Sequence, residues 1–454
     1  MTLQLNPSFA SIGPLRRLPL ALAALWLAGA GAAAAQSFTP GPTAPVVEQT
    51  FARLAAAPQV AKVLGDVKAD DARALADLRA LTEIPAPPFK EKARGEYFLS
   101  RLKALGLPDA YLDAEGNAIG VRKGTGAGPR LVIAAHLDTV FPEGTDVKIK
   151  ERDGRLYAPG IADDSRGLAV LLSWLRVLGE NKLQTVGDLI FVGDVGEEEL
   201  GNLRGMKALL RDHPDVDGVI GLEPGEGARV VVLGTGSHRY EVTFRGPGGH
   251  SFSAFGLPSA IHAMGRAIAK IGEVRTPDDP KTTFTVGTVG GGTSVNTIAG
   301  DARMAVDIRS NAMPTLLEAE KNILAAIAEG VAEENRRWNS DQMTHQVKLI
   351  GDRPAGQTPI DSRIVQVAAR AITGAGGKPL LAGASTDANV PMALGIPAVI
   401  LAAGGKSGGF HARDEWFDPR DAWQGAQTSL TAVLALVGVA GVSEPLLEKR
   451  PKRP

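Results

Sequence analysis

The apolar run Leu131-Val132-Ile133-Ala134-Ala135 passes directly into His136-Leu137-Asp138-Thr139-Val140. After a polar connection comes Ala158-Pro159-Gly160-Ile161-Ala162-Asp163-Asp164-Ser165-Arg166-Gly167. Five consecutive apolar residues read as a strand buried on both faces of a sheet. The residues after Arg166 have helical character, so the stretch predicts strand, loop and helix in succession. Its histidine and adjacent carboxylates stand at the mouth of the strand, the edge where open α/β sheets bind ligands. They are the beginning of a metal site, which the rest of the chain has to complete.

The flanking sequence repeats the pattern. Leu189-Ile190-Phe191-Val192 is a second buried strand and runs into Gly193-Asp194-Val195-Gly196-Glu197-Glu198-Glu199-Leu200-Gly201. A third, 218–222, ends at Glu223-Pro224. Helical periodicity over 70–82, 91–105 and 166–178 gives βαβ units and a largely parallel sheet. Before them, 36–65 reads as a loose segment running into a first helix.

Near Gly236 the texture changes. Strand 238–245, a glycine-rich turn holding His250, helix 258–271, strands 283–289 and 303–309, helix 314–334 and strand 346–350 follow in turn. That β-α-β-β-α-β order is ferredoxin-like and marks 236–350 as an inserted domain. It divides an α/β catalytic domain into 50–235 and 351–442. The charged, proline-bearing end, 443–454, is expected to be disordered.

With 454 residues, 44% hydrophobic and 22% charged, the chain has the composition of a globular protein. A net charge of −1 provides no field for recruiting nucleic acid. Cysteine is absent, which excludes thiolate metal sites, disulfides and a cysteine nucleophile together. Arg16-Arg17, the apolar run 18–28 and small residues to Ala35 form a signal peptide over 1–35. The protein is therefore expected to be exported to the periplasm, or secreted, by the general or the twin-arginine route. A membrane anchor is the other reading of this segment, but the run is short for a span.

Eight residues fall at the predicted C-terminal ends of strands or in loops beside them: His136, Asp138, Asp163, Asp164, Glu197, Glu198, Glu223 and His411. Two histidines with several carboxylates suit a pair of divalent ions, zinc first, with cobalt or manganese as alternatives. Asp138, separated from His136 by one residue on an extended segment, is placed to brace the imidazole with its carboxylate. Glu197-Glu198 offers one carboxylate for metal and one for protons, although Glu199 leaves a one-residue shift of register open.

These motifs, in this order over about 70–440, resemble the di-zinc aminoacylase and carboxypeptidase superfamily. That group includes glutamate carboxypeptidase, acetylornithine deacetylase, succinyl-diaminopimelate desuccinylase and peptidase T. The resemblance implies one zinc on His136, Asp163 and Glu223 and the other on Asp163, Glu198 and His411, with Asp163 bridging. It implies Asp138 as the support of the first histidine, Glu197 as general base, and an unusual cis peptide after the bridge. Ser165 departs from the lysine that often follows in the family. The 236–350 insert would be a lid and the homodimer surface. His250 would serve there as oxyanion donor, often from the partner subunit, with Asn296 and Arg309 holding a substrate carboxylate. Ser385-Thr386-Asp387-Ala388-Asn389 resembles a loop near the substrate pocket, and reads equally as a helix cap.

The expected activity is exopeptidase hydrolysis of short peptides by a metal-activated water. An N-acyl amino-acid deacylase is the alternative, and an inactive peptide-binding protein is the rival from another class. Gly405-Lys406-Ser407 lacks the first glycine of a phosphate loop, and no Gly-x-Ser-x-Gly elbow is present.

Overall fold

In the computed structural model, which describes residues 39–126 and 128–451, the apolar run 131–135 lies in strand Arg130–His136. Every side chain of that strand from Leu131 onward is buried, because it lies between strands Asp188–Asp194 and Gly218–Glu223 and parallel to both. Strand Ala398–Ala402 continues the parallel core beside Gly218–Glu223. Antiparallel strands flank this core: Ala118–Arg122 and Tyr111–Leu112 on one side, Arg229–Gly234 and Gly356–Gln357 on the other. Leu380–Ala384 runs parallel to Arg229–Gly234 as the ninth strand. Helix Ser165–Glu180 is buried through Leu178 and packs on the central strand. Asp164 caps it, accepting the Gly167 N–H at 2.9 Å.

A second layer is built from 236–353. Its sheet is antiparallel throughout, in the order Thr282–Gly291, Asp301–Ser310, Gly236–Arg245, Thr344–Arg353. Helices Ala260–Ile271 and Met313–Trp338 pack against each other and this sheet, around a core that includes Val242, Phe244, Met304, Ile308, Ile323 and Ile327. A small sheet of Lys150–Arg152, Arg155–Tyr157, Trp416–Asp418 and Lys406–Gly408 carries the loop that holds His411 and Glu415.

Two expectations need correction. The 36–65 region is not loose where it is described: helices Pro45–Ala56 and Pro58–Ala69 occupy it and bury Val47, Phe51, Leu54, Val60, Val63 and Val67. Proline stands first in each helix, where its missing N–H costs nothing, so it starts helices here and does not break them. The end of the chain is ordered through 451, against the disordered tail expected from its charge. Leu446 and Leu447 are buried in the main core, and the Arg450 N–H donates to Asp217 at 2.6 Å. Two leucines fill a gap that composition could not reveal. The signal peptide expected over 1–35 lies outside the described residues. No helix among the described residues is long and apolar enough to cross a membrane.

His238 in the second layer carries a pH dependence. Its Nε2 is 3.5 Å from Asp352, and its Nδ1 is 3.1 Å from Glu320. The hydrogen bond to Asp352, helped by Glu320 and opposed by burial, raises it above its ordinary 6.5. A histidine whose folded value is raised stabilises the fold fully below about 6.5, and that contribution is lost as pH rises through the folded value. Denaturant unfolding at pH 6 should therefore separate wild type from His238→Gln. The gap should narrow towards pH 9.

Candidate metal centre

Four side chains meet at the C-terminal edge of the parallel strands. His136 Nε2 lies 3.1 Å from Asp163 Oδ1, and His411 Nε2 lies 3.5 Å from Asp163 Oδ2 and 3.2 Å from Glu198 Oε1. Ligand atoms of His136, Asp163 and Glu198 all fall within 4.8 Å of one another. Asp163 thus presents one oxygen to each histidine. Tetrahedral zinc with bonds of about 2.1 Å sets its donor atoms roughly 3.4 Å apart, so these spacings suit the ion. Glu223 ends its strand beside them, outside the 4.8 Å group. Burial, then repulsion from Asp163, pushes its carboxyl well above the usual range.

The electrostatics are those of a site built for cations. Against its own burial, Asp163 is held far below the ordinary carboxylate range by hydrogen bonds with His136 and His411. His411 is pushed up to about 10 by hydrogen bonds to Asp163 and Glu198. A divalent ion held there would take over the charge balance that protonated imidazoles otherwise provide, and would displace their protons.

Asp138 acts differently from the brace expected of it. Its Oδ1 accepts the N–H groups of Gly196 (2.9 Å) and Glu197 (3.1 Å), and its Oδ2 accepts that of Glu198 (2.8 Å). His136 Nδ1 is oriented by the Asp138 backbone carbonyl at 3.0 Å, with the carboxylate farther away at 3.7 Å. The side chain therefore organises the 196–198 turn. Gly196 enters that turn at φ +75°, which only glycine adopts without strain.

The turn also separates the three glutamates. Glu198 points into the cluster, whereas Glu199 is exposed at φ +46°. Glu197 is buried. Its Oε1 accepts from Arg353 Nη1 at 3.2 Å, and its backbone carbonyl accepts from Nη2 of the same guanidinium. Burial pushes its carboxyl well above the ordinary range, with Arg353 pulling the other way.

The peptide Asp163-Asp164 is cis. His250, Asn296 and Arg309 sit on the second layer and bond within it. His250 Nδ1 accepts the N–H groups of Phe252 and Ser253, which leaves Nε2 to carry the proton. Asn296 is exposed and accepts from Ser294 at 3.0 Å. Arg309 Nε donates to Asp307 at 2.7 Å.

Sequence reasoning missed several residues. Glu415 is fully buried and accepts the N–H groups of Gly160 (2.9 Å), Ala162 (2.8 Å) and Asp163 (3.0 Å), cradling the turn that aims Asp163. Burial, then repulsion from Asp163, raises it to about 7. Asp194, not singled out by sequence, forms a buried carboxyl pair behind the site with Asp387, a member of the 385–389 stretch that was. Burial lifts Asp194 to about 6 and Asp387 well above its usual value. Glu415 had one usable signal, its position four residues after His411 in a loop already marked as functional.

Peptidase family M20/M25/M40 matches residues 132–435 of this chain. An uncharacterised Bacillus subtilis protein, YqjE, is 29% identical over 299 residues, which is 64% of this chain and 76% of that one. The acetylornithine deacetylase of Myxococcus xanthus is 27% identical over 337 residues, covering 68% and 83%. Among solved structures, the aminopeptidase PepT of Bacillus cereus superposes with a TM-score of 0.67 at 24% identity, covering 80% of this chain and 98% of that one.

Proposed function

The chain belongs to peptidase family M20/M25/M40, and from that premise we propose that it is an exported di-zinc exopeptidase hydrolysing the amide bonds of short peptides. The observation that carries this reading is Asp163, which offers one carboxylate oxygen to each of two histidines while Glu198 reaches the same centre. His136, Asp163 and Glu223 would hold one ion; Asp163, Glu198 and His411 would hold the other. Bound there, the ions would supply Lewis acidity and lower the pKa of a water from ~15.7 towards ~7. Glu197 takes the proton of the attacking water and returns it to the leaving amine. Its burial and raised affinity for protons suit that shuttle. His250, with Nε2 as donor, serves the developing oxyanion from the lid of a second copy, and Asn296 and Arg309 receive a substrate carboxylate. Export follows from the N-terminal apolar run and favours peptide scavenging.

An N-acyl amino-acid deacylase is the second reading, supported by the likeness to the Myxococcus deacetylase. The test is primary-amine release by zinc-loaded protein lacking residues 1–35. The panel holds di- and tripeptides, C-terminal glutamyl amides and N-acyl amino acids. Activity is expected on peptides, lost on chelation and restored by zinc. A requirement for a free α-amine marks an aminopeptidase, and cleavage of N-acyl amino acids alone establishes the deacylase. Two bound metals with silence across the panel would defeat both readings in favour of a binding protein.

A further inference from the structure

Arg353 is the last residue of strand Thr344–Arg353, the strand by which the chain leaves the second layer. It is buried, and its guanidinium ends at Glu197, one residue from a proposed metal ligand. An arginine fork usually engages both oxygens of a carboxylate. Here Nη1 takes Oε1 while Nη2 takes the backbone carbonyl of the same residue. Side chain and main chain of Glu197 are thereby fixed together, and Oε2 stays outside the fork. Nη1 also lies 3.4 Å from Ser385 Oγ.

The neighbourhood of Arg353 is a clamp on both connections between the layers. Asn389 Nδ2 donates to Thr235 O, on the way into the second layer, and to Pro354 O, on the way out, each at 2.8 Å. Its Oδ1 accepts the Thr386 N–H at 3.0 Å. Asn202 Oδ1 accepts the Asp352 N–H at 2.7 Å, and Lys207 donates to the Asp352 carbonyl. No room is left for slack at these joints. A Cβ on Gly234 would meet Asn389 at 2.8 Å, and one on Gly356 would meet Ala393 N at 2.5 Å. The Ser385–Asn389 motif is thus neither a bare helix cap nor simply a pocket wall. It ties the two crossing points to the residue that holds Glu197.

From this arrangement we infer that Arg353 is a positioning residue through which the second layer sets the orientation of Glu197. The inference rests on the reading of Glu197 as general base. Holding one oxygen and the carbonyl fixes the rotamer of the base, and a base misplaced by about 1 Å costs on the order of 10²-fold in rate. Since the guanidinium is delivered by the exit strand, the placement of the second layer at this clamp is carried directly to the base.

The experiment uses zinc-loaded Arg353→Lys, Arg353→Ala and Glu197→Gln on the panel substrate that wild type cleaves fastest. Metal content and thermal unfolding are measured alongside. Arg353→Ala should lose about 10- to 100-fold in kcat with KM and two bound metals unchanged, and added guanidinium ion should restore part of the rate. Arg353→Lys, which keeps the charge but cannot span both acceptors, should lose most of the same factor while folding normally. A risen KM at unchanged kcat would overturn the proposal, because Arg353 would then be binding substrate. Wild-type kcat in Arg353→Lys together with an inactive Glu197→Gln would overturn it while leaving the base in place. An active Glu197→Gln would instead remove the underlying mechanism.

Discussion

Glu197→Gln is expected to lower kcat by about 10²–10⁴-fold, the usual loss when a general base is removed, while both metal ions stay bound. Glutamine keeps the length of the side chain and can still accept from Arg353, but its amide oxygen cannot take a proton at neutral pH. The sequence offers three consecutive glutamates, so the same experiment on each neighbour decides their roles. Glu198→Gln should lose metal as well as activity, since Glu198 Oε1 stands 3.2 Å from His411 and within the same group as His136 and Asp163. Glu199→Gln should change neither, because that side chain is exposed and the hydrogen bond made there, from Arg239, goes to its backbone carbonyl. Metal retained in Glu198→Gln and lost in Glu199→Gln would mean the roles sit one residue further along. Steady-state kinetics with metal analysis of the purified variants reads all three results.

The parts of this molecule legible from sequence are those whose cause is local. Leu131-Val132-Ile133-Ala134-Ala135 declares a strand buried on both faces because nothing polar interrupts it, and the histidine that ends it marks the edge of the sheet. The same logic places Asp163, Glu198 and His411 at that edge, where the structure brings them together. The β-α-β-β-α-β order of the second layer is readable from where strands and helices fall in the chain, helped by the alternation along Gly236–Arg245 and Asp301–Ser310. What escaped depends on partners far along the chain. Glu415 looks like any loop carboxylate until its contact with 160–163, some 250 residues earlier, buries it. Arg353 has no motif around it and gains its meaning from Glu197, 156 residues away. Leu446 and Leu447 sit in a stretch whose charge argues for disorder, yet two buried leucines contribute about 1.5–3 kcal/mol each, enough to hold a short segment down.

Asp138 makes contacts other than the one expected of it, and it supports the second large effect. Asp138→Ala would orphan three buried N–H groups, those of Gly196, Glu197 and Glu198, at about 1–3 kcal/mol each. Asp138→Asn is the sharper variant, because it preserves shape. Its single carbonyl oxygen can replace Oδ1 and keep two of the donors, but its amide N–H₂ then faces the Glu198 N–H, donor against donor. The expected loss is about 1–3 kcal/mol in denaturant unfolding, together with a 10- to 100-fold fall in metal affinity, the usual effect of losing a residue that orients a ligand. The imidazole of His136 should be unaffected, since the carbonyl that orients it at 3.0 Å belongs to the backbone and survives the substitution. Competition with a chromogenic chelator therefore separates two accounts of the residue. If Asp138 organises the 196–198 turn, Asp138→Asn and Glu198→Gln weaken the same ion and their effects do not add. If its carboxylate works through His136, the two variants weaken different ligands and their free energies sum. The distances favour the first outcome, with the turn carrying base and ligand side by side on three hydrogen bonds to one carboxylate.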